Sequence, residues 1–224
     1  MRRSNNHLIV VLTGGSPINL QEIAAGADAV IMAWYPGQEG GDALAELLFG
    51  ERNFSGRLPI TFPVSSQELP DFSDYTMKGR TYKYMTGNTM YPFGYGLSYG
   101  SSQYGDLTLL TKKPKLGKPV DVEIPVTNTG KVERTETVQL YVSTPNAGQG
   151  APISQLVAFE RITLKPGESQ TVHFTVEPDQ MKEFQDDGKT KLLKGTYRIT
   201  VGAASPTART EELGVPLKSV SFKL

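Results

Sequence analysis

The segment Trp34-Tyr-Pro-Gly-Gln-Glu-Gly-Gly-Asp-Ala-Leu-Ala-Glu-Leu-Leu-Phe-Gly50, followed by Ser55-Gly-Arg-Leu-Pro-Ile-Thr-Phe-Pro63, constrains the fold of this chain more than any other. It reads as the end of a strand, a glycine-rich turn, a helix and an extended exit. Ala43, Leu44, Leu47 and Leu48 recur at helical spacing, so the helix begins near Glu39 and stops at Gly50. Upstream, 8–12 is a continuous apolar run, the pattern of a strand covered on both faces. Ser16 and Pro17 suit the N-cap and first turn of a helix. Ile18, Leu20, Ile23, Ala24 and Ala27 would form its apolar face, and Gly26 its stop. A second buried strand is expected over 29–34. Strand, helix, strand at this spacing predicts parallel pairing. Two parallel strands do not make a stable open sheet alone, so the α/β part is expected to be incomplete.

The character changes further on. Beyond 53 periodicity is poor, and the stretch to 102 is rich in Pro, Gly, Tyr and Ser. Its aromatics, Phe72, Tyr75, Tyr82, Tyr84, Tyr91, Phe93, Tyr95 and Tyr99, predict an ordered connector that packs against something. From about Tyr104 the pattern is all-β. Val120, Val122, Ile124 and Val126 alternate with polar residues or proline. Val138, Leu140 and Val142 do the same, as do Val172, Phe174 and Val176, and Tyr197, Ile199 and Val201. A further strand lies within 153–164. Turn signals stand at Asn128-Thr-Gly130 and Lys165-Pro-Gly-Glu168. Short strands at this spacing predict a β-sandwich of immunoglobulin or fibronectin type.

Composition narrows the function. Lys+Arg and Asp+Glu both number 23 in 224 residues, so there is no basic excess for nucleic acid or an anionic membrane. The chain has no cysteine, which removes disulfides, thiolate chemistry and Cys-based zinc sites together. Two isolated histidines, His7 and His173, support neither a His-rich metal site nor a Ser-His-acid constellation. No metal and no cofactor are expected. No apolar run approaches the roughly 20 residues of a membrane span, and Arg2, Arg3 and the short run after them do not make a signal peptide.

Few residues suggest chemistry. The Gly37-Gln-Glu-Gly-Gly41 turn could offer backbone N–H groups to an anion. It lacks the phosphate-loop and dinucleotide patterns, and its plain reading is a strand-to-helix turn with Glu39 at the positive helix end. Glu39, Asp42 and Glu46 lie on or beside one helix, and Asp71 and Asp74 in the connector. The helical pairs Glu39/Asp42 and Asp42/Glu46, one turn apart, read as a solvated face. The tyrosine-rich run 79–99 suits either stacking on sugar rings or joining two domains, and the second reading is favoured.

The motifs in combination resemble glycoside hydrolase family 3, the β-glucosidase and β-xylosidase group. Leu12-Thr-Gly-Gly-Ser-Pro17, Ala33-Trp-Tyr-Pro-Gly-Gln-Glu-Gly-Gly41, Leu48-Phe-Gly50, Ser55-Gly-Arg-Leu-Pro59, Leu69-Pro-Asp-Phe72, Gly79-Arg-Thr-Tyr82 and Tyr91-Pro-Phe-Gly-Tyr-Gly-Leu-Ser-Tyr99 follow in the family's order. The resemblance implies an α/β plus all-β chain. It divides into the C-terminal part of an α/β sandwich domain over 1–63, an irregular connector over 64–102 and a fibronectin type III-like β-sandwich over 103–224. It implies a retaining, exo-acting hydrolase of terminal β-linked glucose or xylose. The nucleophile would sit on an N-terminal barrel and the acid/base upstream of Leu8, so no catalytic residue is assigned to this chain. Trp34, Tyr35, Gln38, Glu39, Arg80 and Tyr82 are the expected site-proximal or substrate contacts. The implied partners are a β-glucoside or β-xyloside oligosaccharide, met through the complete enzyme, and the barrel domain itself. Family members are often periplasmic or secreted. The rival expectation is a non-catalytic module that binds carbohydrate or docks a domain.

Overall fold

The computed structural model describes residues 7–185 and 187–224. Its first part is β1 (Ile9–Thr13), α1 (Gln21–Gly26), β2 (Ala29–Trp34) and α2 (Gly40–Leu48). β1 and β2 pair in parallel, with Val10 opposite Val30 and a register shift at Leu12/Thr13. The helix expected from Ser16 begins later. Its N-cap is Leu20, and the acceptor for Gln21 N is Asn19 Oδ1 at 3.0 Å. Ser16 and Pro17 lie in the loop, where the nearer Asn side chain supplies the local bond. Burial also departs from expectation. β1 is not covered on both faces: every second residue is exposed, and Ile9 is 52% exposed. β2 pairs with it along one edge and α1 packs on β2, so the two-stranded ribbon keeps Ile9 and Val11 exposed.

The connector holds short regular pieces: β3 (Phe62–Pro63), a 3-10 turn at Ser66–Glu68, α3 (Thr81–Tyr84) and β4 (Thr89–Tyr91). β3 and β4 pair antiparallel, Phe62 opposite Tyr91. Part of the expected packing is present. Tyr82 stacks on Phe93 at 4.3 Å, and Tyr91 on Tyr95 at 5.3 Å. Phe72 and Tyr75, in contrast, stand in solvent.

The remainder is the sandwich, made of β5 (Ser102–Tyr104), β6 (Thr108–Leu109), β7 (Val120–Asn128), β8 (Arg134–Ser143), β9 (Gln155–Leu164), β10 (Ser169–Val176), β11 (Glu183–Phe184), β12 (Thr190–Lys191), β13 (Thr196–Gly202), α4 (Ala208–Glu212) and β14 (Leu217–Lys223). One sheet runs β10-β7-β5, with β6 also on β7. The other runs β14-β13-β8-β9, all antiparallel. The alternating residues of β7, β8, β10 and β13 meet between the sheets. Val120, Val122, Ile124, Val126, Val138, Leu140, Ile199 and Val201 are fully buried. The Lys165–Glu168 turn carries the chain from β9 in one sheet to β10 in the other. Gly167 there has φ +77°, the left-handed conformation that costs glycine least. β8 is buried on its second face too. Gln139 and Tyr141, expected to point to water, are covered by the connector.

Candidate functional site

Ligands of parallel α/β sheets gather at the carboxyl ends of the strands. Here that end consists of the loops after β1 and β2. Trp34 closes β2 with φ +55°, a strained conformation for a bulky residue. Its carbonyl accepts Gly14 N at 3.1 Å, and its ring meets Phe62 edge-on at 6.3 Å. Tyr35 leans over Gly15, where an added Cβ would come within 2.9 Å of the ring, yet Tyr35 is 79% exposed. Pro36 lies against Gly40, which admits no Cβ. Gln38 and Glu39 are exposed on the same turn. Glu39 caps α2 with its backbone: its carbonyl accepts Ala43 N at 3.0 Å, while its side chain makes no capping bond. Glu46, further along α2, is held by Arg52.

Arg80 and Tyr82 are sequence neighbours with different tasks. The Arg80 guanidinium donates to the carbonyls of Asp71 (2.9 Å) and Asp74 (2.7 Å), so it closes the 71–79 loop on itself. Within that loop Asp71 Oδ1 accepts Ser73 N at 2.8 Å and the Ser73 hydroxyl at 2.5 Å, and Asp74 Oδ1 accepts Thr76 N at 2.8 Å. The hydrogen bonds from Ser73 hold the Asp71 carboxyl below its ordinary pKa, and those from Thr76 do the same for Asp74. Thr81 follows with φ +55°, unusual for a β-branched residue. Tyr82 then enters the sandwich. Its hydroxyl accepts Leu156 N at 3.1 Å, and its ring meets Tyr141 edge-on at 6.0 Å. Burial pushes its phenol pKa up. Ile153 N donates to Lys83 O at 2.7 Å beside it.

Trp34, Tyr35, Gln38 and Glu39 thus share one loop, whereas Arg80 and Tyr82 belong to the junction with the sandwich. An open groove of about 700 Å³ lies where α1, the connector and α4 meet. Gln21, Tyr82, Asn88 and the Arg209–Glu212 ion pair (2.8 Å) line it. Among the described residues no three His, Cys, Asp or Glu side chains gather as metal ligands.

The sequence reading missed the most buried charged cluster. Glu136 on β8 is 1% exposed and receives Arg57 Nη2 at 3.0 Å, Arg134 and the Ser102 hydroxyl at 3.1 Å. Tyr104 lies beside it. Burial first, then the Glu136 charge, pushes that phenol pKa far up. Arg134 also donates to Gly100 O at 2.8 Å. The signal was available: Arg134 and Glu136 continue the inward phase of Val138, Leu140 and Val142. Arg57, in the Ser55–Pro59 motif, is the α/β side of the contact.

Residues 1–99 match the Glycosyl hydrolase family 3 C-terminal domain, and 136–205 match the Fibronectin type III-like domain. The molecule is therefore a glycosidase-type α/β segment joined to a fibronectin type III-like sandwich. The chain belongs to glycosyl hydrolase family 3 and corresponds to the C-terminal region of its β-glucosidases and β-xylosidases. It is 38% identical to a xylan 1,4-beta-xylosidase of Xylanibacter ruminicola, matching 97% of this chain and 25% of that protein. It is 36% identical to a periplasmic beta-glucosidase of Salmonella typhimurium, over 92% of this chain and 28% of the relative. The beta-D-glucoside glucohydrolase structure from Trichoderma reesei superposes with a TM-score of 0.84 at 26% identity, covering 99% of this chain and 34% of that one. The chain thus spans about a quarter to a third of these relatives.

Proposed function

We propose that these residues are the C-terminal part of a retaining, exo-acting β-glycosidase that releases terminal β-D-glucosyl or β-D-xylosyl units, and that residues 1–224 alone do not turn over substrate. The proposed division is an α/β portion over 1–63, a connector over 64–102 and a sandwich over 103–224. One observation carries the reading: the match to a β-xylosidase and a β-glucosidase runs through nearly the whole chain, while covering only 25% and 28% of them. The state of the carboxylates supports it. A retaining mechanism needs two carboxyl groups about 5–5.5 Å apart across the glycosidic bond. Here Glu46 is held by Arg52, and Asp71 and Asp74 are engaged in their own turns. Trp34, Tyr35, Gln38 and Glu39 would then border the site from the sheet end.

The test is hydrolysis of aryl β-glucoside and β-xyloside by residues 1–224 and by the polypeptide extended upstream to the length of its relatives. Turnover is expected from the second and not from the first. Turnover by the short chain above a denatured control would overturn the reading. The groove at the junction of α1, connector and α4 favours a second reading, a carbohydrate-binding module. Calorimetric titration with xylo- and gluco-oligosaccharides would show micromolar binding without turnover in that case.

A further inference from the structure

The 69–79 loop is hydrogen-bonded to itself and carries an apolar tip. Phe72 is 92% and Tyr75 89% exposed, and Leu69 and Met77 stand out beside them. An apolar tip of this kind in an idle loop would be expected on a floppy segment. This one is fixed at four points. Two Asp side chains close turns on Ser73 and Thr76, the Arg80 guanidinium ties two carbonyls, and Gly79 (φ +70°) lies against Pro70, where a Cβ would come within 3.1 Å. At its end, strained Thr81 leads to Tyr82, which the sandwich grips through Phe93, Tyr141 and Leu156 N. Rigid exposed aromatics lose little entropy on contact and are the usual anchors of protein interfaces.

We propose that this loop is a preformed docking finger, that Phe72 and Tyr75 are its anchors, and that its occupant is the upstream, catalytic part of the same polypeptide. Tyr82 is its positioning residue, through which the sandwich sets the finger's angle. The proposal rests on the reading of the chain as the C-terminal part of a longer glycosidase. Chemistry argues against a sugar as occupant. Sugar sites pair an apolar face with convergent polar groups, and here the nearby ones, Asp71, Asp74 and Arg80, are spent on the loop's own backbone and on Ser73. Size argues against a separate protein. Two aromatic side chains bury about 150–250 Å² each, far below the roughly 800 Å² per partner of a free-standing complex. A tethered partner at high effective concentration needs much less.

Hydroxyl-radical labelling read by mass spectrometry tests this on residues 1–224 and on the upstream-extended polypeptide. Phe72 and Tyr75 should oxidise quickly in the short chain and about tenfold more slowly in the long one, as for anchors that become desolvated. The double variant F72A/Y75A should lower the unfolding midpoint of the long polypeptide and leave that of the short chain unmoved, since neither side chain is packed there. Equal labelling of the two in an extended polypeptide that hydrolyses aryl β-glycosides would overturn the docking finger and leave the glycosidase reading standing. Slowed labelling in an extended polypeptide without hydrolysis would support the finger and count against that reading. Slowing in the short chain alone, with rising concentration or with added xylo-oligosaccharide, would assign the finger to a second copy or to sugar and overturn the proposal.

Discussion

Glu136→Gln is the most informative single change in this molecule. The substitution keeps the shape of the side chain and removes its charge. Two guanidiniums, Arg57 (8% exposed) and Arg134, would then share one neutral amide whose NH₂ group faces donors rather than accepting from them. Breaking a buried ion pair by neutralising one partner costs about 3–5 kcal/mol, because the remaining charge stays out of water. Here two charges are orphaned, so the upper half of that range is expected. For a cooperative unit of this size the unfolding midpoint should fall by about 10–15 °C. Urea titration at neutral pH, followed by circular dichroism, measures the loss directly. A double-mutant cycle with Arg57→Met separates the contact from general damage. With Arg57 gone, the Gln substitution should cost at least about 1 kcal/mol less than it does alone. A loss below about 1 kcal/mol for Glu136→Gln, or strict additivity in the cycle, would refute the claim that this cluster fastens the α/β portion to the sandwich.

Three further outcomes follow from the geometry. Tyr82→Phe keeps the stack on Phe93 and deletes the acceptor for Leu156 N, so it should cost about 1 kcal/mol in urea denaturation. Gly96→Ala would place a Cβ on the carbonyl oxygen of Gly56, a backbone atom that yields only by moving the chain. A loss of about 1–3 kcal/mol is expected on the same assay. Asp71 and Asp74 have carboxyl pKa values below the ordinary 3.8, so their ionised forms favour the folded loop. That contribution is fully present above pH 3.8 and disappears as pH falls through the depressed values. The Ser73 and Thr76 amide resonances should hold their positions down to about pH 4 and move only at lower pH.

Much of the sandwich was legible because its strands obey a two-residue period with one dry face. The inward residues of β7, β8, β10 and β13 are those that the alternation picks out. β14 was not read, because Leu217 falls on the opposite phase from Val220 and Phe222. The start of α1 was misplaced because Ser16 and Pro17 satisfy the capping pattern, whereas Asn19 makes the bond. β1 reads as buried on both faces by composition alone, yet these residues cover only one. The second face of β8 shows the opposite limit. Gln139 and Tyr141 look solvent-facing by period and are dry because Gly94, 45 positions from Gln139, lies over one and the Tyr82 ring over the other. Arg80 and Tyr82 stand out in sequence as a motif, but only the fold separates a residue that closes its own loop from one that reaches 74 positions along the chain.

The apolar interior is distributed very unevenly. Between β5 and β14 nearly every inward side chain is dry, whereas ahead of Phe62 the only buried apolar side chain among the described residues is Leu20. Opening the β1–α2 stretch therefore exposes little new hydrocarbon, and opening β7 or β13 exposes a great deal. Heat or denaturant should consequently open residues 1–224 first at the β1–α2 stretch. A protease would nick that region while the β7 and β13 amides still wait for global unfolding.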